Sequence, residues 1–110
     1  VEPDLKLLEA CLPLLERCDE VFADWYKKCY QLRQATVTRL HSFVSHYRPV
    51  PGHDQLKKHV DGRHIDGSVI LRLPVRTSAG ACRGGKLLVW DGKPKAEYEY
   101  DMAPGDICVL

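Results

Sequence analysis

The residues with the clearest capacity for chemistry sit together in Lys58-His59-Val60-Asp61-Gly62. An imidazole and a carboxylate separated by one apolar residue would point the same way on a β-strand, because successive side chains alternate faces, while Val60 would pack on the other side. Two such donors on one ribbon can hold a single metal ion. With one more histidine from a distant strand they would make a 2-His-1-carboxylate facial triad, the set that suits Fe(II) and leaves three adjacent positions open. His-x-Asp alone is a common pattern, so its surroundings decide its meaning.

Those surroundings alternate between extended runs and turn residues. Thr36 to Tyr47 is rich in β-branched and aromatic residues and predicts a strand, broken by Pro49, Pro51 and Gly52. Ser68 to Val75 predicts a second strand and Lys86 to Trp90 a third, with a loop from Thr77 to Gly85 between them and the Asp91-Gly92 turn signal after. Ala96 to Asp101 continues in extended form, Pro104-Gly105-Asp106 turns, and Ile107 to Leu110 begins another strand. Val69, Leu71, Leu87 and Val89 would fill the inner faces of two sheets. Ahead of all this, residues 4 to 33 read as helical. Leu5, Leu8, Leu12 and Leu15 share a face, Asp4 is a candidate N-cap, and Pro13 should kink or interrupt the segment. Val21, Phe22, Trp25, Tyr26, Cys29 and Tyr30 follow at a spacing that suits packing. Helices first and short strands after indicate an α+β domain built on a sandwich or barrel.

In this order the elements resemble the Fe(II)/2-oxoglutarate-dependent dioxygenases, particularly the prolyl-4-hydroxylase-like branch. The likeness covers about residues 39 to 110. It rests on Tyr47-Arg48-Pro49, then His59-Val60-Asp61, then the Ser68 to Leu73 strand, then Gly84-Gly85-Lys86-Leu87-Leu88-Val89, and finally Ala103 to Leu110 with its Pro104-Gly105 turn. The resemblance implies an N-terminal helical segment, 1–35, packing on a core. That core, 36–110, would be the N-terminal portion of a double-stranded β-helix (jelly-roll, cupin-like), incomplete at its C-terminus. It implies Fe(II) held by His59 and Asp61, 2-oxoglutarate as cosubstrate with ascorbate as a candidate accessory reductant, and hydroxylation of a substrate C–H bond coupled to formation of succinate and CO2. The third metal histidine and the basic anchor of the cosubstrate's far carboxylate are expected beyond Leu110. The branch often has a tyrosine three residues before the metal histidine. Leu56 stands there, and Tyr47 is the candidate replacement as a hydroxyl donor to 2-oxoglutarate.

Other residues have plainer readings. Arg63, His64 and Asp66 are substrate-facing candidates, although a polar turn before Ser68 explains His64 and Asp66 as well. His41 and His46 would fall on opposite faces of their strand and His53 in a loop. Trp90 would serve as core or pocket wall. A zinc set of His59, Asp61 and His64 with one open position is a further arrangement, but His64 would face away if the strand continued past Asp61. Ten-eleven-translocation and base-J-binding oxygenases share His-x-Asp on a similar scaffold. Lys57, Lys58, Arg63, Arg76 and Arg83 would then follow a phosphate backbone, or would simply form a solvated face. A non-catalytic β-sandwich or cupin-like binding module, with His59 and Asp61 only hydrogen-bonded, is the alternative of another class. An oxygenase binds Fe(II) and consumes 2-oxoglutarate, and a binding module does neither.

Composition narrows the partners. The 110 residues carry sixteen basic and fifteen acidic side chains, a net charge of +1, so no bulk field recruits nucleic acid or anionic membrane. No apolar run approaches the roughly 20 residues needed to span a bilayer, and no signal peptide opens the sequence. Five cysteines, Cys11, Cys18, Cys29, Cys82 and Cys108, are an odd number without a CxxC pair, which predicts free thiols and an intracellular, cytoplasmic or nuclear, location.

Overall fold

The structure, a computed structural model, describes residues 4–74, 85–92 and 96–110. The chain divides into two compact units, residues 1–43 together with Val109 and residues 44–108 together with Leu110.

The first unit is dominated by one helix, α1, Leu5–Tyr30. Asp4, in extended conformation, accepts the Leu7 N–H on its carboxylate at 3.0 Å and satisfies one of the donors a helix leaves free at its start. The far end closes on Gln31 in the left-handed region, φ 54°, whose N–H reaches the Lys27 carbonyl. Lys27 and Lys28 in the last turn complement the negative end of the helix dipole. Along the C-terminal half, Phe22 meets Trp25 and Tyr26 with ring centroids 5.6 and 6.0 Å apart, and Tyr26 meets Tyr30 at 4.6 Å. These are neighbours at three- and four-residue spacing along one helix face. The helix runs unbroken through Pro13. The expectation of several helices is corrected to one among the described residues: the caps and the long helical run on both sides outweigh the N–H that proline lacks.

The strand expected over Thr36 to Tyr47 is not formed. Residues 32 to 47 carry no ladder hydrogen bonds and are mostly exposed. High β-propensity expresses itself only when a neighbouring strand takes up the backbone groups and the side chains of one face. His41 and His46 are accordingly exposed residues of an irregular segment, with His41 stacked on Phe43 at 6.0 Å. Arg39 is tied to Asp19 of α1 by an ion pair at 3.3 Å.

Beyond residue 44 the described residues form four short strands: β1 Val69–Leu71, β2 Leu87–Trp90, β3 Glu97–Tyr100 and β4 Ile107–Val109. They lie where the alternation and turn signals predict them. β1 pairs with β4, and the ladder is carried by reciprocal bonds between Ser68 and Leu110 at 3.0 and 2.9 Å and by Arg72 N–H to Asp106 O at 3.0 Å, an antiparallel register. β2 and β3 form an antiparallel hairpin with Leu87 opposite Tyr100 and Trp90 opposite Glu97. The pairing is therefore nested, with the β2–β3 hairpin falling inside the β1–β4 pair in sequence. Pro104-Gly105 makes the expected turn into β4. The Asp106 N–H bonds the Ala103 carbonyl at 2.9 Å and Gly105 takes φ 90°, the positive value that a type II turn requires at its third residue. The Asp106 carboxylate accepts the Ala103 N–H at 2.8 Å and locks the same turn.

Val69, Leu71, Leu87 and Val89 are half-buried, and no described side chain is fully buried. The loop expected from Thr77, together with Val75, Arg76, Cys82, Arg83 and Gly84, lies outside the described residues. Cys11, Cys18, Cys29 and Cys108 are free thiols, as expected. Among the described residues no helix is long and apolar enough to cross a membrane.

Candidate metal centre

His59 and Asp61 come together, although not by the route the sequence suggested. Residues 59 to 61 belong to no ladder, so the pair does not ride on a paired strand. Three local contacts hold it instead. His59 Nδ1 lies 2.8 Å from the Lys57 carbonyl. Asp61 Oδ2 accepts the Ser68 hydroxyl at 2.6 Å. Between Asp61 and Ser68 the chain folds back through a turn closed by the Ile65 N–H on the Gly62 carbonyl at 3.0 Å.

The first contact fixes the histidine's chemistry. A carbonyl only accepts, so Nδ1 must carry its proton, and in the neutral imidazole Nε2 then presents its lone pair. That lone pair faces Asp61 Oδ1 at 3.5 Å. The separation is longer than an N–H···O hydrogen bond, which prefers 2.7–3.2 Å. Two such donor atoms, a ring nitrogen and a carboxylate oxygen, can share one metal cation. Adjacent ligands at about 2.1 Å from one ion, set at right angles, stand about 3 Å apart. The pair is within reach of that spacing. An Nδ1–H held by a backbone carbonyl is also the usual outer support of a metal-binding histidine. The side chains of His59 and Asp61 are 51% and 46% exposed, which leaves the far side of any bound ion open.

The donor set is incomplete among the described residues, where no three His, Cys, Asp or Glu side chains form a group able to hold a metal. His64 therefore does not join His59 and Asp61, and the three-ligand zinc arrangement is not formed. Arg63 and His64 are the exposed centre of the Gly62–Ile65 turn, and Asp66 is exposed just after it. Tyr47 is exposed and takes no part in the hydrogen bonds that organise the pair. His53 sits in a turn, its N–H on the Val50 carbonyl at 2.9 Å.

Sequence reasoning missed two contributors. In the sequence Ser68 signals only the start of a strand, and nothing in a seven-residue separation from Asp61 announces a contact. Lys58 belongs in the sequence to a basic cluster, yet its ammonium lies 4.1 Å from the centre of the Trp90 ring, a cation–π contact that ties the His59 segment to β2. Trp90 is half-buried beneath it.

No protein-family model, curated protein or solved structure matches this chain.

Proposed function

We propose that His59 and Asp61 are two ligands of a non-haem Fe(II) centre in a 2-oxoglutarate-dependent dioxygenase that hydroxylates a C–H bond of its substrate. The observation that carries this reading is that His59 Nε2 lies 3.5 Å from an Asp61 carboxylate oxygen while Nδ1 lies 2.8 Å from the Lys57 carbonyl. The nested strand pairing supports it, because a hairpin enclosed by an outer antiparallel pair is how a jelly roll, and hence a double-stranded β-helix, brings its strands together. A third histidine and a basic anchor for 2-oxoglutarate would complete the site from outside the described residues.

Fe(II) with 2-oxoglutarate would supply the oxygen activation. The chain's own residues perform simpler tasks. His59 offers one neutral nitrogen, its other nitrogen being occupied by Lys57. Asp61 offers one charged oxygen, its other oxygen being occupied by Ser68. Half-exposure of both leaves room for a bidentate cosubstrate and for substrate. Trp90, covered by Lys58, anchors the neighbouring segment to β2.

The reading is tested by Fe(II)-dependent conversion of 2-oxoglutarate to succinate by the native protein, with His59→Ala and Asp61→Ala as controls. A binding module whose histidine and aspartate make only an ion pair would show no turnover.

A further inference from the structure

The carboxylate of Asp61 is held asymmetrically. Oδ1 faces His59 Nε2 at 3.5 Å, while Oδ2 accepts the Ser68 hydroxyl at 2.6 Å. The two residues differ in their backbone support. Asp61 belongs to no ladder, whereas Ser68 exchanges both backbone hydrogen bonds with Leu110, at 3.0 and 2.9 Å, at the end of the β1–β4 pair. The Gly62–Ile65 turn folds the chain so that the fixed residue reaches the unfixed one. A hydroxyl–carboxylate bond as short as 2.6 Å is of the strong, charge-assisted kind.

We infer that Ser68 is a positioning residue of the metal centre. It occupies Oδ2 and thereby makes Asp61 a one-armed ligand through Oδ1. The consequence is a count of positions. A carboxylate binding through both oxygens would fill two corners of an octahedron, and with two further protein ligands it would leave only two. Held to one oxygen, it leaves three, the number that a bidentate cosubstrate and O2 require together. The same contact transfers the order of the ladder to a ligand that lies outside it. This inference rests on the metal reading above and concerns a residue that does not itself touch the ion.

The experiment uses Mn(II), an air-stable stand-in for Fe(II), added to the native protein, Ser68→Ala and Ser68→Thr. Broadening of the His59 and Asp61 resonances by NMR reports binding, weak binding included. Infrared spectra with 13C-carboxylate aspartate report whether the bound carboxylate is one-armed, with widely split stretches, or two-armed, with closely spaced ones. The native protein should broaden at His59 and Asp61 and show the wide splitting. Ser68→Ala should need about 10- to 100-fold more Mn(II), the usual cost of losing an outer support, and its splitting should narrow. Ser68→Thr, which keeps the hydroxyl, should behave like the native protein in both. Unchanged Mn(II) demand in Ser68→Ala, or narrow splitting in the native protein, overturns the role of Ser68 and leaves the metal reading standing. The native spectrum decides this even where the alanine variant folds poorly. Native resonances of His59 and Asp61 that do not broaden would overturn the metal reading itself.

Discussion

The helix Leu5–Tyr30 and the segment from Pro49 to Gly67 solve the same problem in opposite ways. The helix satisfies its backbone internally, through repeated bonds, an N-cap at Asp4 and a left-handed closure at Gln31. The second segment has no ladder and is held by a few individual contacts: the Val50–His53 and Gly62–Ile65 turns, His59 on Lys57, Asp61 on Ser68 and Lys58 on Trp90. Regular structure distributes stability over many equivalent bonds, so losing one costs little in shape. A segment built on single contacts loses shape one contact at a time. The residues with chemical capacity lie in the second kind of structure, which is where binding groups commonly lie, on loops positioned by a scaffold.

The contrast can be broken most severely at the pair itself. His59→Ala and Asp61→Ala should each abolish Mn(II)-induced broadening at the remaining partner, while the far-ultraviolet circular dichroism stays unchanged, because neither residue belongs to a helix or a ladder. A loss of helical signal in either variant would contradict the separation of roles. Pro13→Ala works on the other region. It restores an N–H for the Glu9 carbonyl and should stabilise the helix by up to about 3 kcal/mol, seen as a raised thermal midpoint at the helical wavelengths. Asp4→Ala should cost about 1 kcal/mol by the same measurement, from loss of the cap. Lys58→Ala should cost only about 0.5–1 kcal/mol, the scale of an exposed cation–π contact. Its effect should appear as faster amide exchange near His59 with no change in α1.

The smallest expected effect concerns the thiols. Burial pushes Cys108 above the usual 9.0 for a thiol. Burial also raises Cys18, with Asp19 beside it adding to the rise and Arg39 opposing it. Raised values in the folded state mean that the neutral thiols favour folding. Their contribution is fully present below about pH 9 and fades as pH climbs through the raised values. Thiolate formation followed by ultraviolet absorbance should therefore begin at higher pH for these two in the folded chain than in denaturant. Coincident curves would contradict the shifts.

Much of the regular structure was legible because local chemistry specifies it. Asp4 ahead of a leucine face marked the start of α1. Alternation and the Asp91-Gly92 and Pro104-Gly105 signals placed β2 to β4 within a residue or two, while β1 stops at Leu71, short of the Val75 expected. Thr36 to Tyr47 misled because β-branching states what a residue tolerates, and no neighbouring strand was there to accept it. The candidate pair was legible as residue types and as a two-residue spacing, while the means of convergence was not. His59 and Asp61 meet through a backbone carbonyl and a serine seven positions away, and such contacts leave no period in the sequence. The nesting of the strands was likewise hidden, since pairing between β1 and β4 joins residues almost forty apart.

The central claim is that an imidazole with a fixed tautomer and a one-armed carboxylate form part of a working iron site. Succinate production from 2-oxoglutarate by the native protein, measured with Fe(II), with chelator, and with His59→Ala and Asp61→Ala, tests it most directly. The expected result is turnover that requires Fe(II) and is lost in both variants. Turnover that survives both substitutions would contradict the ligand assignment, and no turnover with Fe(II) would contradict the oxygenase reading.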